Sequence, residues 1–154
     1  MRHAALVLLL AAGLPLGARA QGVHINPARG AVSPESDDLV FSRTAGDVVR
    51  TAFVNGPSRT VYLLHPFVGV VALERREGCE WVELPVPYGR PAVVPRPRPL
   101  GSDRYQPLWE LRLLDFDYIE PGTYRVRAYV YEDDSLERLL PEAQRVSTPF
   151  RVVE

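Results

Sequence analysis

From Leu39 onward the apolar residues of this chain recur at every second position, a period that admits strands and excludes amphipathic helices. The stretch "GTYRVRAYVYE" shows it best: Tyr124, Val126, Ala128 and Val130 fall on one side, Arg125, Arg127, Tyr129 and Tyr131 on the other. The first set is the expected core face. The two arginines are expected to project into solvent, with the two tyrosines covering the sheet surface near the strand's end. Earlier runs behave alike. "LVFSR" leads through the turn "TAGD" to "VVRTAFVN", then through "GPSR" to "TVYLLHPF" and "VGVVALERR". A tight "EGCE" link joins the last of these to "WVELP"; "PLWELRLLDF" and a terminal "STPFRVVE" follow further on. β-branched and aromatic residues fill the runs, and Gly, Pro, Asn, Asp and Ser separate them. The pattern predicts an all-β sandwich of seven or eight antiparallel strands with Greek-key connections, with turns about every 8–12 residues.

Two stretches break this rhythm. Between Pro85 and Pro107 there are seven prolines, so the interval cannot supply a central strand, and its "PRPRPLG" core is expected to be extended and partly polyproline-like. It reads as a stiff crossover between sheets, or as a recognition loop presenting Arg90, Arg96, Arg98 and Arg104. In "DDSLERLLPEAQRV" the spacing of Leu136, Leu139 and Leu140 predicts a short helical turn stopped by Pro141.

The N-terminus predicts export. Arg2 and His3 precede an apolar run from Ala4 to Leu16, and Ala18-Arg19-Ala20 offers small residues for signal cleavage. Residues 1–20 are therefore read as a signal peptide, 21–38 as a loose leader or edge addition, and 39–154 as the folded domain. The apolar run is shorter than the ~20 residues that a spanning helix needs, so no membrane span is expected after cleavage. The destination is periplasmic or secreted. Without its first twenty residues the chain carries sixteen arginines against nineteen acidic residues, which argues against nucleic acid. Every basic residue is arginine, so Schiff-base chemistry at lysine is excluded.

Candidates for chemistry are sparse. His24 and His65 have no second ligand at zinc-type spacing, and the initiator is the only methionine. No "GxSxG" occurs. The carboxylates of "DFD" (Asp115, Asp117) and "EDD" read as turn residues and do not follow a calcium-loop pattern. Cys79, the single cysteine, cannot form an internal disulfide; a passive turn residue, an intermolecular disulfide and a reactive thiol all stay open. The expectation is a non-enzyme with no cofactor and no metal.

Two segments carry structural information. In "EGCEWVELP" a glycine turn delivers Trp81 to a strand. In "IEPGTYRV" Pro121-Gly122 makes a turn, and Tyr124 stands where sandwich domains place a corner tyrosine. With the closing "TPFRVVE", these segments resemble a bacterial immunoglobulin-like domain family of small exported proteins and lipoproteins. The matching residues are Leu73, Glu74, Gly78, Trp81, Leu84, Pro85, Pro121, Gly122, Tyr124, Arg125, Phe150 and Val152, and the resemblance covers roughly Asp47 to Glu154. It implies an immunoglobulin-like β-sandwich without a catalytic site. The leading functional expectation is a protein-binding or structural module of the cell envelope, its partner another envelope or extracellular protein. Alternatives are a proteinase inhibitor using the stiff loop from Arg90 to Arg104, or a carbohydrate or small-ligand module using Tyr88, Tyr105, Trp109 and Tyr131.

Overall fold

The computed structural model describes residues 39–65, 70–85, 94 and 96–154, and the backbone of 22–25. The expected signal peptide, most of the leader, Tyr88 and Arg90 lie outside the described residues.

The chain folds as an all-β sandwich, with eleven short strands among the described residues: β1 (Gly22–Ile25), β2 (Val40–Ser42), β3 (Val48–Val54), β4 (Val61–His65), β5 (Val71–Glu77), β6 (Glu80–Leu84), β7 (Arg96–Leu100), β8 (Tyr105–Arg112), β9 (Gly122–Ala128), β10 (Val130–Tyr131) and β11 (Phe150–Val153). One layer is a five-stranded sheet in the order β2-β11-β9-β5-β6. The other consists of two three-stranded sheets, β1-β3-β8 and β10-β4-β7. These two share one ribbon. Val54 pairs with Tyr105 at the end of β3–β8, and the antiparallel register resumes beyond the corner with Val61 opposite Leu100. Asn55 holds that corner: its backbone N–H donates to Arg104 O at 2.9 Å, and its side-chain amide faces the carbonyls of Arg59, Leu100 and Gly101 at 2.8–3.0 Å.

The strand count exceeds the expected seven or eight, and not every pairing is antiparallel: β1 runs parallel to β3, and β2 parallel to β11. Three local events account for the surplus. Within the segment read as leader, Gly22–Ile25 adds β1 beside β3. Arg96–Leu100, expected as a crossover, pairs with β4 as the outer strand β7. The run from Gly122 to Tyr131 changes sheets at Tyr129, whose N–H donates to Val70 O at 2.7 Å, so that β9 stays with β5 while β10 joins β4.

The expected helical turn at Leu136–Leu140 does not form. Leu136 has a left-handed φ of 60°, which no α-helix tolerates, and Leu139 bridges to Tyr131. The helical turn lies after Pro141, as a 3-10 turn at Glu142–Gln144. Proline's fixed φ and missing N–H suit the start of a helix and not its end.

Inward-facing residues of both layers make the core, and the alternation in β9 holds: Tyr124, Val126, Ala128 and Val130 are all buried. Tyr124 stacks on Phe150 at 6.1 Å between ring centroids, and Phe150 meets Phe41 edge-on at 5.4 Å. The Tyr124 hydroxyl donates back to the Glu120 carbonyl across the bend at Pro121, which is the tyrosine corner of immunoglobulin-like sandwiches. The bend is closely packed at Gly122, where a Cβ would come within 3.3 Å of Arg75 Nε and 3.4 Å of the Tyr124 ring.

Candidate binding surfaces

The arginines expected to form one loop are divided. Arg96 and Arg98 lie on β7, Arg104 lies in the turn leading to β8, and all three are exposed. The "RPRPL" sequence dictates how β7 pairs. Proline has no N–H, so the ladder bonds to β4 run through Arg96, Arg98 and Leu100, while Pro97 and Pro99 turn their nitrogens outward. Arg98 is in register with Leu63, a core residue of β4, yet is exposed, as an inward-pointing charge on an outer strand is.

On the outer face of the five-stranded sheet the arginines of β9 do not project freely into solvent. They close on Glu74 of β5, a carboxylate buried in mid-sheet. The Glu74 side chain is 4% exposed, against 15% for Arg125 and 26% for Arg127, so the pairing is largely desolvated. Arg125 Nε donates to Glu74 Oε2 at 2.5 Å; Arg127 Nε lies 3.1 Å from Oε1, an ion-pair contact without hydrogen-bond alignment. Outer carboxylates complete the row, with Arg125 reaching Glu142 at 2.9 Å and Arg127 reaching Glu83 at 2.6 Å. Each guanidinium also covers a ring: Arg125 lies 4.7 Å from the Trp81 centroid, and Arg127 lies 5.8 Å from that of Tyr129. Trp81 is thus half-buried under a cation rather than inserted in the core. The cause is register. Trp81 pairs with Arg76 and Glu83 with Glu74, which puts residues 81 and 83 on the outer face and Leu84, opposite Leu73, on the core side. Nearby, the buried Arg145 guanidinium donates to the carbonyls of Leu140 (2.6 Å) and Ala128 (3.2 Å), and burial lowers its pKa below the ordinary arginine value.

A second surface lies on β3–β8. A β-bulge between Thr51 and Ala52 sets Thr51 opposite Trp109 and Ala52 opposite Pro107, leaving Leu108 as the extra residue. Arg50, Thr51, Tyr105, Pro107, Leu108, Trp109 and Glu110 line a depression of about 360 Å³ there. Tyr105 is exposed and Trp109 half-buried against the core. Arg50 and Glu110 close one side as an ion pair at 2.9 Å, both half exposed. The same pair borders a smaller hollow with Gly46, Val48, Arg112, Leu114 and Asp115. Thr51 is buried, and its hydroxyl has no partner among the described residues. Of the aromatic residues singled out by sequence, Tyr105 and Trp109 share this depression, whereas Tyr131 belongs to β10 in the neighbouring sheet.

Cys79 is exposed at the tip of the β5–β6 hairpin. Glu77 pairs with Glu80, so the loop is Gly78-Cys79 alone, with Gly78 at a left-handed φ of 61°, the residue pattern of a type II′ turn. His65 ends β4 opposite Arg96. Among the described residues no three His, Cys, Asp or Glu side chains gather as a metal site, and no helix is long and apolar enough to cross a membrane.

Sequence reasoning missed Glu74 and Thr51. A signal for Glu74 existed: a carboxylate ends the apolar run "VVALE", and "RVR" supplies two cations at strand spacing on a later strand. Thr51 had none, because its place depends on a bulge in a strand far along the chain. The chain matches no known family profile, and no curated protein matches it in sequence.

Proposed function

We propose that this chain is an exported, non-enzymatic immunoglobulin-like domain that binds another envelope or extracellular protein. The observation that carries this reading is the depression formed by Tyr105, Pro107 and Trp109, bordered by the Arg50–Glu110 pair. Exposed tyrosine and half-buried tryptophan beside arginine are the composition of interface hot spots, where flat rings bury large areas at small entropic cost. Arg104 and Arg112, at either end of β8, extend a basic rim on either side. Export rests on the signal-like features of residues 1–20, and the envelope setting on the family resemblance, whose marked positions include Trp81 and Tyr124.

A photo-crosslinking residue at Tyr105 tests this reading in cells that export the protein. It should trap a discrete adduct that the same residue at Arg151, on β11 of the other layer, does not. Equal labelling from both positions, or none from Tyr105, would refute it. A second reading has one observation in its favour: a ring pair beside a fixed donor–acceptor pair also suits a neutral saccharide. Trp109 fluorescence unchanged by millimolar neutral sugars would remove it. The inhibitor reading draws no support from β7, whose Arg96–Leu100 backbone is engaged with β4.

A further inference from the structure

The sheet edges are treated unequally. At β7, Pro97 and Pro99 leave the outward side without an N–H donor, and Pro107 does the same within β8. At β2, residues 39, 41 and 43 face β11, since Arg151 N–H donates to Leu39 O and Arg43 N–H to Val153 O. The outward N–H of Ser42 is taken by Asp47 Oδ2 at 2.7 Å. At β10 the following segment folds back, with Leu140 N–H donating to Val130 O and Glu132 N–H to Arg138 O.

Among the described residues β6 has none of these devices. In a two-residue hairpin the closing pair is hydrogen-bonded, so Glu77–Glu80, Arg75–Val82 and Leu73–Leu84 carry the bonds to β5. Trp81 and Glu83 therefore turn their N–H and C=O groups outward, and these groups have no partner among the described residues. Val82 between them is an exposed apolar residue.

We infer that β6 is the strand through which two copies of this chain pair, antiparallel, about a two-fold axis at Val82. The open groups at Trp81 and Glu83 are symmetric about Val82, so each Trp81 meets Glu83 of the second copy through a pair of hydrogen bonds. Val82 covers its own counterpart, and Glu80 faces Leu84 of the second copy, so no carboxylate opposes another. Charge favours the match. Glu83 of the second copy arrives beside Trp81, which is flanked by Arg76 on β5 and lies under Arg125. Among the described residues the Arg76 guanidinium bonds to Gly78 O alone, at 3.3 Å. Two five-stranded sheets become one of ten. An interface of one strand pair is small, so the dimer is reversible and in the micromolar range. The register also determines the cysteines: three residues from the axis, the two Cys79 residues lie about 20 Å apart, well beyond the ~7 Å between Cα atoms that a disulfide spans.

Sedimentation of the full chain, as its expression host processes it, tests the assignment from about 1 to about 200 µM, roughly the span in which so small an interface dissociates. The wild type should pass from monomer to dimer. Glu83→Ala should dimerise within a fewfold of wild type, whereas Glu83→Pro, which removes the outward N–H and spares the inner ladder, should stay monomeric. Amide exchange on the wild type gives the same answer without a variant. Trp81 and Glu83 should be protected only at high concentration, and Val82, bonded to β5, at every concentration. A monomer throughout, dimerisation of folded Glu83→Pro, or equal loss in both variants would overturn the pairing. So would a ready Cys79–Cys79 disulfide, or protection of Trp81 and Glu83 that appears only with a different protein.

Discussion

Replacing Glu74 by glutamine tests whether the outer face of the five-stranded sheet is held by a desolvated ion pair. The carboxylate is almost wholly buried and sits between the guanidinium groups of Arg125 and Arg127. Removing one partner of a fully buried pair costs about 3–5 kcal/mol, because the remaining charge is stranded. Here neither arginine is fully stranded. Arg125 keeps Glu142 and the Trp81 face, and Arg127 keeps Glu83 and the Tyr129 face. Both arginines also retain some water. Glutamine preserves the shape and one acceptor, so the expected loss is about 2 kcal/mol, between the buried and exposed limits. That corresponds to a fall in Tm of roughly 6–12 °C for a domain of this size. Urea unfolding at pH 7, followed by tryptophan fluorescence, measures it, and the loss should persist in about 0.5 M salt, where exposed pairs are screened. As a contrast, a double-mutant cycle on the half-exposed Arg50–Glu110 pair should give about 0–1 kcal/mol, and less in salt. A Glu74→Gln cost below about 0.5 kcal/mol, or one abolished by salt, would show that the row is solvated and refute the reasoning.

Three further outcomes follow from individual groups. Burial raises the Tyr124 hydroxyl above its ordinary value of 10.0, so its contribution is complete below that pH and is lost as pH climbs through the raised value. Tyr124→Phe should cost about 1 kcal/mol at pH 7 and should flatten the alkaline limb of a stability–pH curve. Arg145→Lys should lower stability by about 1.5–3 kcal/mol in urea melts, since one ammonium cannot reproduce the two guanidinium bonds to Leu140 and Ala128. The Asp133 carboxyl is held below its ordinary 3.8 first by the Ser135 hydroxyl and then by Arg138. The order it gives the turn at 133–138 is present above that value and lost as pH falls through the depressed one. Amide protection in this turn, taken relative to the intrinsic exchange rate at each pH, should therefore fall on acidification in the wild type, whereas in Asp133→Asn it should already be low at neutral pH.

Much of the architecture was legible because strand patterns and turns are local. The "EGCE" hairpin, the Pro121-Gly122 bend and the corner position of Tyr124 follow from residues a few positions apart. The errors arose where local preference met a distant competitor. Leucine spacing at 136–140 predicted a helical turn, but that backbone pairs with β10 instead. The prolines at 97 and 99 rightly excluded a central strand, yet alternation let them face outward while Arg96, Arg98 and Leu100 bonded to β4.

The sequence alone therefore determined the all-β class, the alternating face of β9 and most turn positions, since each depends on neighbours along the chain. Only tertiary structure decided which charges are buried. Arg125 and Arg127 look solvated in any linear reading, because Glu74 lies about fifty residues upstream and becomes their neighbour only when β5 and β9 pair. The same holds for the edges: Asp47 guards β2 and prolines guard β7, whereas nothing among the described residues covers β6 at the other end of its sheet. Desolvation and edge exposure are properties of the assembled layers, and no short stretch of sequence contains them.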